Sequence, residues 1–201
     1  MTGTPPPGLW AVADGLAGPA QAEAWLAGTR GAAARTFRRP QGGDRLAVAA
    51  LRRFVADGRW TAVHARADLA AAAGAQAWIA GARSLPNVAV RTVFPALQRG
   101  ASVHDAVQIE AARAAGAAFL VYGPVWETPS KRGILEPRGV AGLRAAVASG
   151  IPVVAIGGVD RADRIQACRI AGAHACAVLR SARDAARFAR LVAAWSAVAA
   201  G

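Results

Sequence analysis

HDAVQIEAARAAGAAFLVYG, residues 104–123, decides the fold. Its first part, HDAVQIEAARAAG (104–116), reads as an alanine-rich helix that stops at Gly116, and AAFLVYG (117–123) reads as a short apolar strand. The same succession recurs in both directions along the chain. GLWAVAD (8–14), AARTFRR (33–39), WTAVHA (60–65), AQAWIA (75–80), VAVRTVF (88–94), PVVAIGG (152–158) and HACAVLR (174–180) share the strand character. Helical patterns fill most of the gaps: QAEAWLAGTR (21–30), DRLAVAALRRFVADG (44–58), GVAGLRAAVASG (139–150), ADRIQACRIAG (162–172) and ARDAARFARLVAAWSAVA (182–199). Such alternation predicts a parallel sheet with right-handed crossovers, and about eight units close it into a barrel. The expected fold is therefore α/β, a single-domain (β/α)8 TIM barrel over residues 1–201, with residues 1–7 a flexible Pro-rich leader stiffened locally by Pro5–Pro7. An open doubly wound sheet is the alternative, but ADGLAGPAQ (13–21) follows the first strand where G-x-G-x-x-G would stand. The fourth unit is the weakest, since Leu69 to Val88 leaves little room for a full helix.

At 201 residues and 54% hydrophobic composition, the chain can bury a core. No uncharged apolar run of about 18 residues predicts a membrane span. MTGTPPPGLW lacks the basic start and apolar middle of a signal peptide, and Cys168 and Cys176 read as reduced, packed thiols, so a cytoplasmic protein is expected. The net charge of +12 comes from arginines spread along the chain, without a basic tail or aromatic interleaving. That excludes nucleic acid as the expected partner and suits a small phosphorylated ligand; a homodimer stays open.

Barrels of this kind carry their chemistry at the C-terminal ends of the strands. Those ends hold Asp14, Arg38, His64, Ser84, Ser102 with His104, the loop from Gly123 to Gly133, Gly157 with Gly158, and Arg180 with Ser181. The two glycines let backbone N–H groups approach a ligand, and Ser181 follows the last strand where a short helix would favour phosphate. Lys131 is the only lysine of the chain. Among so many arginines, it marks a place that needs a compact, mobile ammonium, and Thr128 and Ser130 offer hydroxyls beside it.

SVHDAVQIEAARAAGAAFLVYGPVWETPSKRG (102–133), LEPRGVAGLRAAVASGIPVVAIGGVD (135–160) and AGAHACAVLRSA (171–182) together resemble the thiamine phosphate synthase and TenI-type thiazole tautomerase family of phosphate-binding barrels. The first half resembles it through LWAVAD (9–14), RTFRRP (35–40), where the family has Q-L-R-x-K, and ADLAAAAGA (67–75). The resemblance implies a monophosphate site at Gly157, Gly158, Arg180 and Ser181, and an anion clamp of Thr128, Ser130 and Lys131. It also implies ligand contacts from Arg38 and Ser102.

Synthases of this family join a pyrimidine diphosphate to a thiazole phosphate, and hold magnesium on an Asn-Asp after strand three and an aspartate after strand four. Here His64-Ala65 and Ser84 stand at those places, and Thr36 and Pro40 replace the glutamine and lysine of the second-strand motif. Hydroxyl and imidazole replace hard carboxylate oxygens poorly, so neither metal nor cofactor is expected. The tautomerase branch also lacks those ligands, which makes a metal-independent thiazole phosphate isomerase the first expectation. The alternatives are the synthase condensation and a non-catalytic phosphate-binding barrel. The histidine of the tautomerase loop is Pro124 here. His104 is the first candidate for the acid/base group, followed by His64 and Glu127, while His174 begins the last strand on the far face and reads as structural.

Overall fold

The computed structural model describes residues 4–82, 84–129 and 131–197. Eight strands close in sequence order into a parallel barrel: β1 (Gly8–Asp14), β2 (Ala34–Arg38), β3 (Trp60–His64), β4 (Ala77–Ala80), β5 (Gln98–Val103), β6 (Phe119–Tyr122), β7 (Val153–Ile156) and β8 (Ala175–Val178). The helices between them are α1 (Pro19–Gly28), α2 (Asp44–Ala56), α3 (Ala67–Ala73), α4 (Asn87–Val93), α5 (Ala106–Ala114), α6 (Gly139–Val147) and α7 (Ala162–Ile170). A 3-10 turn, Ser181–Arg183, and α8 (Ala185–Ala197) follow the last strand.

One expected strand is a helix. VAVRTVF is rich in β-branched residues, yet Asn87–Val93 forms α4, which buries Val90 and leaves Val88 and Val93 exposed. The fifth strand lies further on, in QRGASV, whose polar start has little strand character. Pairing decides here over intrinsic preference: Gln98 to Ala101 pair with Ala77 to Ala80, and Gly100 to Val103 with Phe119 to Tyr122. Two seven-residue helices, α3 and α4, fit the crowded fourth unit into the available chain.

The alternation of each strand divides the core. Trp10, Val12, Ala34, Ala62, Ala77, Ile79, Phe119, Val121, Val154, Ala175 and Ala177 fill the barrel interior. An alanine-rich barrel would be hollow without large fillers, and Trp10, Trp60 and Phe119 supply them at the N-terminal end, with ring centroids 4.9 to 5.8 Å apart. Gly100 is the complement of this packing, because a Cβ there would fall on the Phe119 ring. The opposite faces pack against the helices in two further clusters, one around β2 to β4 and one around β5 to β8, with β1 shared between them. Of the leader, Pro5 is buried and its carbonyl accepts from His174 Nε2 at 2.6 Å, while the Pro6 carbonyl accepts from Trp10 Nε1 at 2.9 Å. His174 thus joins the leader to the base of the barrel, away from the strand ends that carry the polar residues.

Candidate active site at the C-terminal mouth

The inward parity that buries Val12, Thr36, Ala62 and Val121 brings Asp14, Arg38, His64, Ser102 and His104 to the mouth as the next residues of the same rows. Three of them form one continuous edge across β1, β2 and β3. Arg38 Nε lies 3.3 Å from Asp14 Oδ1, and Arg39, from its side, sets a two-pronged guanidinium on the same carboxylate, with Nε to Oδ1 at 2.8 Å. The hydrogen bond from Arg39 holds the Asp14 carboxyl below the usual carboxylate range, against the opposing effect of burial, and the charges of Arg38, Arg39 and Arg183 add to it.

His64 ends β3 with Nε2 3.2 Å from Thr36 Oγ1. Loss of water around the ring, together with the Arg38 charge, lowers its pKa from 6.5 to about 3, with Asp14 opposing. His64 is therefore a neutral imidazole throughout the physiological range. The unfolded chain takes up a proton near pH 6.5 and the folded one does not, so stability present above pH 6.5 is lost as pH falls from there toward 3. Histidine NMR titration is expected to show one ring, assigned by His64→Gln, that stays neutral down to about pH 4. A midpoint near its ordinary value would contradict this placement.

The second pole lies across the barrel, on β6, β7 and β8. The loop after β6 is tied to the end of β7, with Val125 N–H donating to Ile156 O and Trp126 N–H to Gly157 O, both at 3.0 Å. Gly157 and Gly158 have φ of +93° and +69°, and the volume their side chains would occupy is taken by Pro124 and Trp126. These glycines therefore seat the loop in addition to exposing their own backbone. Beyond Trp126 the chain makes a tight turn in which Lys131 and Arg132 N–H groups return to Thr128 O at 2.9 and 3.1 Å. Arg180, just past β8, donates from Nη2 to the nearly buried Thr128 Oγ1 at 2.9 Å, so the loop is fixed both from the end of β7 and from the end of β8. Lys131 is half-buried, and its ammonium meets no hydrogen-bonding or ionic partner among the described residues. Ser130 falls outside the described residues. Ser181 is 2% exposed, at the start of the 3-10 turn.

The three acid/base candidates differ in what they are free to do. His104 Nδ1 is bonded to Gly123 O; a carbonyl only accepts, so Nδ1 carries the proton and the neutral ring keeps its acceptor at Nε2. Glu127 is exposed and paired with Arg132 Nε at 2.6 Å, outside the row of inward residues. His64 has Nε2 committed to Thr36 Oγ1. Sequence reading did not single out Arg39, Gln41 and Arg183, which line a cleft with Asp14, Gly15 and Pro40 at the β1 edge.

The donors at the magnesium positions do not fit that ion. Ala65 has no side-chain ligand atom, His64 offers imidazole nitrogen with Nε2 already bonded to Thr36, and Ser84 Oγ accepts from Gly81 N–H at 2.8 Å. Among the described residues, no group of three or more His, Cys, Asp or Glu side chains is arranged to hold a metal ion. None of the described helices is long and apolar enough to cross a membrane.

A family model described as thiamine monophosphate synthase matches residues 20–182. The thiamine-phosphate synthase of Salinispora arenicola (strain CNS-205) is 44% identical over 135 residues, which cover 66% of this chain and 64% of the relative. That of Mycobacterium bovis (strain BCG / Pasteur 1173P2) is 41% identical over 128 residues, covering 62% and 57%. The chain thus spans less than two thirds of the length of these curated relatives. Among solved structures, the thiamine phosphate pyrophosphorylase from Pyrococcus furiosus superposes with a TM-score of 0.77 at 24% identity, over 92% of this chain and 95% of that one, a likeness of fold.

Proposed function

The chain belongs to the thiamine monophosphate synthase family, and from that premise we propose that it binds two phosphorylated ligands at its mouth and condenses them, joining a thiazole phosphate to a pyrimidine diphosphate. One observation carries this reading: the mouth has two separate cationic poles. Arg38 and Arg39 stand at the end of β2, and Lys131 and Arg180 serve the loop after β6. Strands two and six lie on opposite sides of an eight-stranded barrel. A single phosphate ester needs one such pole, whereas a condensation between two anionic partners needs two. The names of the curated relatives favour the same reaction over the isomerisation that the sequence first suggested.

In this reading Lys131 and the backbone of Gly157 and Gly158 hold the monophosphate, with Thr128 and Arg180 keeping the loop in place. The second pole holds the diphosphate. As the thiazole nitrogen bonds to the pyrimidine methylene carbon, the carbon–oxygen bond to diphosphate breaks and its electron pair leaves with that group, where the guanidinium charges meet it. A second reading, isomerisation of one thiazole phosphate, is favoured by His104, whose tautomer leaves Nε2 able to accept a proton.

Incubation with a pyrimidine diphosphate and a thiazole phosphate, followed by mass spectrometry, tests the proposal. The expected result is the condensed monophosphate together with released inorganic diphosphate. Interconversion of thiazole isomers without any condensed product would replace the synthase reading by the isomerase one.

A further inference from the structure

We infer that the β1–β2 edge of the mouth takes a diphosphate group directly on Arg38, Arg39 and Arg183, without a divalent cation. The inference rests on the synthase reading for the identity of the anion, and on the structure for how the anion is held. A synthase of this family needs positive charge against the diphosphate, and the positions that would recruit it as magnesium hold His64, Ala65 and Ser84. A neutral imidazole, a methyl group and an already bonded hydroxyl offer no set of hard oxygens.

The charge is present in another form. Asp14 is the carboxylate of this edge, with a side chain only 5% exposed, and it faces three guanidinium groups. Its pairing with Arg38 and Arg39 aligns those two without consuming them, and Arg183 adds its charge from nearby. Arg39 uses Nε and Nη2 on Asp14, which leaves Nη1; Arg38 uses Nε; and the Arg183 side chain bonds to none of the described residues. Arg39 and Arg183 line one cleft, with Arg38 beside it on the same carboxylate, and the N–H groups that Arg39 and Arg183 keep free there suit phosphate oxygens, which guanidinium groups bind in pairs. The cleft wall at Gln41 adds an amide. One carboxylate against three arginines leaves the edge strongly cationic, so a trivalent or tetravalent anion gains most from it.

The backbone has adopted unusual geometry to build this edge. Arg39 has φ of +46° and Ala65, at the end of the neighbouring strand, +64°; these are the two non-glycine residues of left-handed conformation among the described residues. The left-handed turn at Arg39 is what returns its side chain to Asp14, one strand away, instead of letting it follow the outward parity of Phe37.

Calorimetric titration of inorganic pyrophosphate into the wild-type protein, once with EDTA and once with magnesium, tests the site. Equal affinity in both is expected, and Arg39→Ala and Arg183→Ala should each weaken binding by about tenfold. Both side chains are exposed, so the melting temperature should hold. Binding that appears only with magnesium, or that ignores both replacements, would overturn the inference. Condensation is assayed separately. Pyrophosphate binding with no condensed product overturns the synthase reading and leaves the arginine site standing; condensation without metal-free pyrophosphate binding does the reverse.

Discussion

Gly158→Val should abolish binding of a thiazole phosphate and lower the melting temperature by several degrees. The new Cβ would stand 2.7 Å from Trp126 Cβ and 3.0 Å from Glu127 O. Neither neighbour is the free end of a side chain, so the loop after β6 must move as a body. The residue would also be held at a φ of +69°, which a β-branched side chain adopts at a cost of roughly 1–3 kcal/mol. In a domain of this size each kcal/mol corresponds to about 2–4 °C. The binding loss has a separate origin: the loop carries Thr128 and Lys131, and its attachment to Gly157 O through Trp126 N–H depends on this turn. Differential scanning calorimetry together with ligand titration measures both effects. Unchanged affinity alongside a lowered melting temperature would mean that the glycine pair supports the fold and not the site.

Much of this arrangement is legible in the sequence because period-two alternation carries side chains predictably. Once Val12 and Ala62 are inside the barrel, Asp14 and His64 must reach its mouth, and the same holds for Arg38 beyond Ala34. Glycines 116 and 172, with φ of +72° and +87°, close α5 and α7 where an L side chain would be strained. The fifth strand was hidden for a physical reason. Val88, Val90 and Val93 favour a pleat locally, while Gly100 makes room for the Phe119 ring of the neighbouring strand, a contact with no local trace. Arg39 was hidden for a related one: alternation sends it outward, and only its left-handed backbone brings it back to Asp14. Arg183 is set by a three-residue turn whose orientation depends on how α8 packs. The glycines after β7 mark close backbone approach in the sequence, but the part of that approach made by Pro124 and Trp126 exists only in the folded loop.

Lys131→Arg should weaken a thiazole phosphate by about tenfold to a hundredfold, the equivalent of roughly 1.5–3 kcal/mol for one charge-assisted contact. The substitution keeps the charge, and at a solvated position it would alter stability by no more than about 0.5 kcal/mol. Here the ammonium ends a half-buried side chain in a turn closed by two hydrogen bonds to Thr128 O, with Arg180 already braced on Thr128 Oγ1. A second flat fork needs room that this turn is not built to give, and it presents its N–H groups in a plane where the ammonium can follow the phosphate. Lys131→Ala removes the contact altogether and should fall at the lower end of the affinity scale. Isothermal titration of thiazole phosphate into the wild-type protein, Lys131→Arg and Lys131→Ala, with melting temperatures alongside, tests the ligand pole most directly. Saturable binding to the wild type, a marked loss in both variants and unchanged melting are expected; equal affinities in all three proteins would remove Lys131 from the ligand pole.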